Sequence, residues 1–152
     1  MTTTMIETRY DTLELDSPVG SLALVASGAG LRAILWPRDD PGRAGLAGAT
    51  LLPGRSDVLD EAAAQLEEYF ACVRTSFDLP LDLEGTPFQN AAWEALAAIP
   101  YGETRTYAEQ AARIRRPDAV RAIGAANGRN PISIVLPCHR VVGSDGELRG
   151  FA

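Results

Sequence analysis

The first part of the chain contains three short stretches rich in apolar residues, and the second of them, residues 21–27, alternates between apolar and polar positions. Residues 10–15, 21–27 and 31–36 each predict a strand, and the segments between them, which contain Gly and Pro, predict tight turns. Strands that follow one another in this way form an antiparallel meander. Residues 37–55 are rich in Gly, Pro and Ala and show no period, so we expect a loop there.

A helical period replaces the alternation from residue 57. Over residues 57–73 the apolar side chains fall at i, i+3, i+4 and i+7, which predicts an amphipathic helix. Cys72 lies beside this apolar stripe and is expected to be a packing residue. Residues 77–83 follow as a linker or a short strand. We therefore expect an α+β scaffold domain over residues 1–83, in which no group of residues suggests a chemical site.

The remainder, residues 84–152, is expected to be a helical domain. Two capping boxes, which begin at Thr86 and at Thr106, each predict the start of a helix. A further helix is expected over residues 119–127, where Pro117 would occupy the first helical position and Asp118 the first turn. The last two helices, joined by a tight turn with basic residues, resemble a helix-turn-helix.

The last predicted helix has an unusually smooth surface. Apart from Val120 and Ile123 it carries mainly Ala and Gly with one arginine, Arg121, so it has no row of side chains that could read base edges in the major groove. Such a helix can approach a nucleic-acid backbone or a narrow groove without discriminating sequence. The alternative is an Ala-rich helix packed against a neighbour, although Gly124 costs about 1 kcal/mol relative to Ala unless close approach requires it.

Charge divides the chain at nearly the same place. Residues 1–86 carry six Arg against 14 acidic residues, whereas residues 87–152 carry eight Arg against six, which is a net −8 followed by a net +2. This asymmetry suggests that the second part meets a polyanion, although chance scatter of surface charge gives the same count. No apolar run could span a membrane, and the N-terminus lacks the features of a signal peptide. Two cysteines and one histidine argue against a zinc site and fit a reducing cytoplasm.

The only histidine follows one of the two cysteines, in the motif Pro137-Cys138-His139 after the apolar residues 132–136. This pattern predicts a nucleophile at the end of a buried strand, with His139 as the only candidate base. Neighbouring side chains of an extended segment point to opposite sides, so we expect a water to link Cys138 and His139. A buried structural cysteine beside an exposed histidine is the alternative. Asn130 precedes a proline, and its side chain is free to bond main-chain groups across the turn.

Residues 121–142 read RAIGAANGRNPISIVLPCHRVV, and this run resembles the O6-alkylguanine-DNA alkyltransferases, also called methylated-DNA–protein-cysteine methyltransferases. The likeness extends over residues 10–152. It implies a ribonuclease H-like N-terminal domain with a small antiparallel sheet and a helix, and a winged-helix-like C-terminal domain with the helix-turn-helix. The implied activity is DNA repair by one irreversible transfer of an alkyl group from O6-alkylguanine, or O4-alkylthymine, to Cys138 after base flipping.

The resemblance also implies roles for individual residues. Tyr107 would donate a proton or a hydrogen bond to the leaving guanine, and Asn130 would hold the turn before Cys138. Arg121 would fill the gap that the flipped base leaves in the stack. The implied DNA contacts also include Thr106, Ala122, Ala125, Ala126 and Arg129. The implied wall of the base pocket consists of Val141, Val142, Gly143, Ser144 and Phe151, where many relatives have Tyr in place of Phe151.

The expected partner is therefore double-stranded DNA that carries the lesion, bound through its minor groove by a cytoplasmic monomer without a metal or a cofactor. In the family the chain continues past Ala152 into a basic helix whose glutamate orients the histidine, so we expect weakened transfer or altered closure of the pocket. Two alternatives stay open. One is a non-catalytic lesion-binding or regulatory helix-turn-helix protein; the other is a Cys-His hydrolase or acyltransferase, for which the sequence identifies no orienting Asn or Asp.

Overall fold

The computed structural model describes residues 8–146, and a four-stranded sheet dominates its first half. The strands are β1 (Arg9–Ser17), β2 (Gly20–Ala26), β3 (Leu31–Leu35) and β4 (Thr50–Pro53). The first three form the predicted antiparallel meander. β4 lies parallel to β1 at the opposite edge from β3, so the spatial order is β3-β2-β1-β4.

The expectation of a plain loop between β3 and β4 was wrong. A 3₁₀ turn covers Pro41–Ala44; Asp40 accepts a hydrogen bond from the N–H of Gly42, and Gly45 ends the turn with a φ of +77°. β4 follows after a further short turn. Both elements are too short to show a period, and contacts with the outer face of the sheet determine them.

One long helix, α1 (Asp57–Phe70), covers the other face of the sheet. It ends three residues before the predicted position in a Schellman motif, in which the N–H of Val73 bonds to the carbonyl of Glu68 and Cys72 takes a φ of +63°. Cys72 is consequently exposed and does not pack in the core, contrary to expectation.

Three helices form the second half: α2 (Pro87–Ala97), α3 (Tyr107–Arg113) and α4 (Val120–Gly128). Both predicted capping boxes are present, because Thr86 and Thr106 each accept a hydrogen bond from the N–H three residues further on. α3 and α4 follow each other across a tight turn, as the helix-turn-helix interpretation requires.

The beginning of α4 differs from the prediction. Arg115, two residues past the last residue of α3, adopts the left-handed conformation with a φ of +62°. The next four residues form a turn, which a hydrogen bond from the N–H of Ala119 to the carbonyl of Arg116 closes. Pro117 and Asp118 occupy the two corners of this turn and lie outside the helix. A proline fits the second position of a turn as well as the first position of a helix, so the local sequence does not separate the two.

Buried polar side chains hold α4 against α2 and α3. Nε1 of Trp93 donates to the carbonyl of Ala126 at 2.8 Å, and the side-chain amides of Gln110 and Asn127 exchange two hydrogen bonds of 2.8 and 2.9 Å. Loss of any of them leaves a buried polar atom unpaired, at a cost of about 1–3 kcal/mol. These contacts therefore fix the orientation of α4.

The two halves share their core and one edge of the sheet. The largest cluster of buried side chains contains Leu24 and Leu66 from the first half and Leu96 and Ile132 from the second, so the boundary proposed at residue 83 stays a prediction. Residues 80–82 run beside the start of β3 as an extended linker. The end of β3 pairs with the second half through a hydrogen bond of 2.9 Å from the N–H of Ile34 to the carbonyl of Pro131. Within residues 8–146 no helix is long and apolar enough to cross a membrane.

Candidate active site and nucleic-acid interface

Cys138 begins a short 3₁₀ turn, Cys138–Arg140, and does not lie at the end of a strand as predicted. The preceding apolar residues 132–136 form a turn, in which the N–H of Leu136 bonds to the carbonyl of Ile132 at 2.9 Å. A mainly apolar run of only five residues does not distinguish a buried strand from a buried turn. We refer to residues 130–140 as the cysteine turn.

Pro137 sets the direction of the chain immediately before the cysteine. Its φ of −82° and ψ of 71°, with a hydrogen bond of 2.8 Å from the N–H of Cys138 to the carbonyl of Leu136, define an inverse γ-turn. The proline ring restricts φ at this position. The main chain thus holds the half-buried thiol in a defined place that solvent can still reach.

Asn130 closes the cysteine turn in the way the resemblance implied. Its Nδ2 donates to the carbonyl of Leu136 at 2.7 Å, and its Oδ1 accepts from the N–H of Ile132 at 3.0 Å. The residue is 1% exposed, so no water competes for these bonds. Because Asn130 directly follows the end of α4, one side chain couples the position of that helix to the position of Cys138.

Arg140 holds the far end of the cysteine turn, and sequence reasoning did not single it out. Its Nη1 donates to the carbonyl of Ile99 at 2.9 Å, and its guanidinium lies 5.5 Å from the centre of the Tyr101 ring. Both partners lie just beyond α2. The local sequence does not predict these contacts, since about 40 residues separate Arg140 from its two partners.

A pair of two-residue strands brings α3 beside the cysteine turn. β6 (Val141–Val142) continues directly from the turn and runs parallel to β5 (Arg105–Thr106). Tyr107 is the first residue of α3 and follows β5 without a break; its half-buried ring packs against the same core cluster as Cys138. The β5–β6 pairing thus places the start of α3 next to the strand that follows Cys138, while the roles of Cys138 and Tyr107 as acceptor and proton donor stay predictions.

His139 follows Cys138 within the 3₁₀ turn, and its side chain is half-buried. Successive residues of a 3₁₀ helix are about 120° apart, so Cys138 and His139 point in different directions even though the segment is not extended as predicted. Burial, and to a lesser extent the positive charge of Arg140, lowers the pKa of His139 below its ordinary 6.5. The imidazole is consequently uncharged at neutral pH and able to accept a proton.

The exposed face of α4 carries four of the predicted DNA contacts: Arg121, Ala122, Ala125 and, just past its end, Arg129. Ala126 does not belong to this face, and its prediction as a DNA contact was wrong. It is 3% exposed and shares the inward stripe of Ile123 and Asn127, at i+3 and i+4 spacing. Thr106 is half-buried, and its hydroxyl is already used to cap α3.

The residues after the cysteine turn divide between core and surface. Val141 is 1% exposed and packs in the main core, so its side chain cannot form the pocket wall that the resemblance implied. Gly143 is also buried, Val142 is half-buried and Ser144 is exposed. Phe151 lies outside the described residues.

Sequence reasoning missed a contact between the first half and the cysteine turn. Nη1 of Arg43 donates to the main-chain carbonyl of Asn130 at 2.6 Å, and the same guanidinium pairs with Asp39. The spacing of Asp39 and Arg43 resembles an i,i+4 ion pair and gave a weak signal. The partner 87 residues away gave none.

Within residues 8–146 no three His, Cys, Asp or Glu side chains come together in a way that could hold a metal ion.

Two family models match the chain: the ribonuclease-like domain of 6-O-methylguanine DNA methyltransferase over residues 8–83, and its DNA-binding domain over residues 87–152. The chain belongs to this family. Membership confirms the expected fold class, with an α+β architecture and a ribonuclease-like first half.

Relatives of known name agree with this assignment. The methylated-DNA–protein-cysteine methyltransferase of Methanosarcina barkeri is 46% identical over 149 residues, which cover 94% of this chain and 87% of that protein. The protein of the same name from Mycobacterium tuberculosis is 47% identical over 139 residues, or 90% and 81% of the two chains. The crystal structure of Mycobacterium tuberculosis OGT in complex with DNA has a TM-score of 0.79 and 45% identity, and covers 95% of this chain and 84% of that chain. These relatives favour neither the hydrolase nor the non-catalytic alternative.

Proposed function

We propose that Cys138 accepts an alkyl group directly from the O6 of an alkylated guanine in double-stranded DNA, and keeps it. Family membership supports the general activity, that of a DNA-repair methyltransferase that acts on methylated DNA. The acceptor residue, the lesion and the roles of the surrounding side chains are what we add. The observation that carries the proposal is the half-buried Cys138, held by a turn that Asn130 closes and that leads into the strand pair beside Tyr107.

The transfer is a displacement at the alkyl carbon. The thiolate of Cys138 attacks that carbon, the bond between carbon and guanine O6 breaks, and a thioether forms on the protein. The electron pair of the broken bond stays on the purine, which is protonated as it leaves. A thioether has no ready leaving group, so each protein molecule reacts once.

Two side chains handle the protons. His139, neutral at pH 7, takes the thiol proton through a bridging water, because its ring does not face Cys138 directly. Tyr107 donates to the departing guanine and so stabilises the negative charge that develops on it. The half-buried ring of Tyr107 at the start of α3 fits that role, since a site partly closed to water strengthens such a hydrogen bond.

The smooth face of α4 supplies the DNA contact. A Cβ built on Gly124 or on Gly128 meets no protein atom within 4 Å, so packing inside the chain does not require glycine at either position. An external surface that approaches closely would explain both residues. A guanine inside a duplex cannot reach the thiol, so it must rotate out of the stack, and Arg121 is placed on the exposed face to occupy the gap.

We further propose that each of the two halves corresponds to a domain, and that Ser144 and Phe151 border the flipped base.

We also propose that the protein acts as a monomer in the cytoplasm. A single acceptor needs no second subunit. Sedimentation of the protein with and without duplex measures the oligomeric state, and a dimer of the free protein would contradict the proposed monomer.

The number of groups removed per protein molecule tests the proposal. A fixed amount of protein is mixed with increasing amounts of duplex containing O6-methylguanine, and the repaired guanines are counted. We expect a plateau at one per protein molecule, none for Cys138→Ser and an unchanged plateau for Cys72→Ser. Continued turnover, or the same plateau for Cys138→Ser, would contradict it.

A further inference from the structure

Arg43 uses three of its guanidinium nitrogens in hydrogen bonds that join the two halves of the protein. Nε and Nη2 donate to the two carboxylate oxygens of Asp39 at 3.0 and 2.7 Å, and Nη1 donates to the main-chain carbonyl of Asn130 at 2.6 Å. Such a two-pronged pair fixes the plane of the guanidinium, which an ammonium group could not do. The group is therefore held in one orientation before it meets Asn130.

Asp39, which holds the guanidinium of Arg43, is itself fixed in position. The carboxylate of Asp39 has only 10% of its side chain exposed and also accepts a hydrogen bond from the N–H of Trp36 at 3.3 Å. The hydrogen bond from Arg43 is the largest cause that lowers the pKa of Asp39, so the carboxylate stays charged at neutral pH. The 3₁₀ turn that carries Arg43 is capped by Asp40 at its beginning and by Gly45 at its end.

The contact falls on the residue that closes the cysteine turn. The main-chain oxygen of Asn130 accepts the hydrogen bond from Arg43, while the side chain of Asn130 bonds to main-chain groups of Leu136 and Ile132. The neighbouring carbonyl of Pro131 is held by β3. Two consecutive peptide groups at the start of the turn are thus fixed by the first half of the protein.

Arg43 also lies within electrostatic range of the reacting sulfur. The hydrogen bond with Asp39 is the largest cause that raises the pKa of Arg43, and the charge of an ionised Cys138 is one of the lesser causes. The guanidinium therefore stays protonated, and its interaction with a thiolate at position 138 is favourable.

We propose that Arg43, held by Asp39, is a positioning residue for alkyl transfer: it fixes the Asn130 carbonyl and through it the turn that presents Cys138. This inference rests on the proposed function, since it concerns the rate at which Cys138 receives the group. It gives the first half a part in the chemistry beyond that of a scaffold. The hydrogen bonds of Arg43 go to Asp39 and Asn130, neither of which we assign to the DNA contact, so its loss is expected to slow the transfer step and to leave DNA binding nearly unchanged.

The test separates the transfer step from binding. Single-turnover rates of methyl transfer from duplex are measured against protein concentration, which gives a maximal rate and a half-saturating concentration for each variant. For Arg43→Gln we expect the maximal rate to fall by about 10-fold to 100-fold, as for other small displacements of a reacting group, with half-saturation within about twofold. Arg43→Lys keeps the charge and can reach one partner at a time, so it should recover part of the rate.

A matched control is available in the same half of the chain. Arg55 pairs with Asp60 at 3.1 Å on the surface, where the two side chains are 78% and 48% exposed, so Arg55→Gln removes one arginine from an ion pair that lies on the exposed surface. We expect both of its rate parameters to equal those of the wild type. Asp39→Asn, which keeps the shape of the support and weakens the pair, should lower the maximal rate in the same direction as Arg43→Gln. It replaces Arg43→Gln if circular dichroism shows that the latter does not fold.

Three results would overturn the proposal. The first is a maximal rate for Arg43→Gln, or for its replacement, within twofold of the wild type. The second is a change confined to the half-saturating concentration, which would make Arg43 a DNA-binding residue. The third is an equal loss in Arg55→Gln. If the wild-type protein transfers no methyl group at all, the proposed function fails and this inference fails with it, whereas a working wild type with an unaffected variant refutes the inference alone.

Discussion

The side-chain amide of Asn130 donates to the main-chain carbonyl of Leu136, six positions further along the chain, at 2.7 Å. The same side chain accepts from the N–H of Ile132. One residue therefore closes the whole turn, and the position of Cys138, the acceptor that we propose, depends on it.

Replacing Asn130 by Ala should destabilise the protein as well as slow the reaction. Two buried main-chain groups lose their partner, which costs about 1–3 kcal/mol for each unsatisfied group. Urea unfolding measures the loss of free energy. Asn130→Asp serves as the comparison: it keeps the acceptor for Ile132, but it replaces the donor to Leu136 by a buried carboxylate oxygen that faces a carbonyl, so we expect a loss at least as large. If Asn130→Ala and the wild type unfold at the same urea concentration, the turn does not depend on these two hydrogen bonds.

The exposed face of α4 should not tolerate a carboxylate. Ala125→Glu places a negative charge and extra bulk on the surface that we assign to DNA, so affinity for duplex is expected to fall by roughly 10-fold at low salt. Ala64→Glu makes the same change on an exposed position of α1 and should leave affinity unchanged. Fluorescence anisotropy with labelled duplex measures both. Equal affinities for the two variants would place the DNA elsewhere.

Arg121 should matter only when the base has to leave a duplex. Arg121→Ala removes the side chain that would occupy the gap in the stack, so transfer from methylated duplex is expected to slow by about 10-fold or more, since unpairing and unstacking cost a few kcal/mol. Transfer from the free base O6-methylguanine needs no flipping and should keep its rate. A similar loss with both substrates would instead make Arg121 part of the reaction chemistry.

Stability should decrease with acid in a way that one residue explains. The folded pKa of His139 lies below 6.5, so between that lower value and about pH 6.5 the unfolded chain binds a proton that the folded chain does not. The free energy of unfolding therefore falls as the pH is lowered through this range and levels off below the folded pKa. His139 is the only histidine, so His139→Gln should remove this part of the pH dependence. The same slope in both proteins over this range would contradict the assignment of a half-buried, neutral imidazole.

The parts of the fold that the sequence predicted depend on local chemistry. The two capping boxes at Thr86 and Thr106 use a hydroxyl and an acceptor three residues apart, and nothing distant competes with them. The alternation in β2 shows its inward face directly, because one side of that strand faces α1. These features are decided within a few residues, so a reading of neighbouring positions was sufficient.

The errors share a different cause, which is dependence on distant partners. β4 exists because β1 offers it an edge, and the turn at residues 132–136 exists because Asn130 closes it and β3 pairs with its start. Pro117 satisfies the geometry of a turn and of a helix start equally, and the end of α3 decides between them. The motif around Cys138 was enough to propose the acceptor, whereas the support of its turn by Arg43 and Arg140 required the folded chain.

The location of the transferred group tests the central claim most directly. Protein incubated with duplex containing O6-methylguanine is digested with trypsin, which releases Cys138 in the peptide 130–140 and Cys72 in the peptide 56–74. Mass spectrometry of the two peptides should show one methyl group in place of a hydrogen on Cys138 in every molecule that has reacted, and none on Cys72. A repaired duplex with an unmodified peptide 130–140, or a methyl group on the other cysteine, would contradict the account.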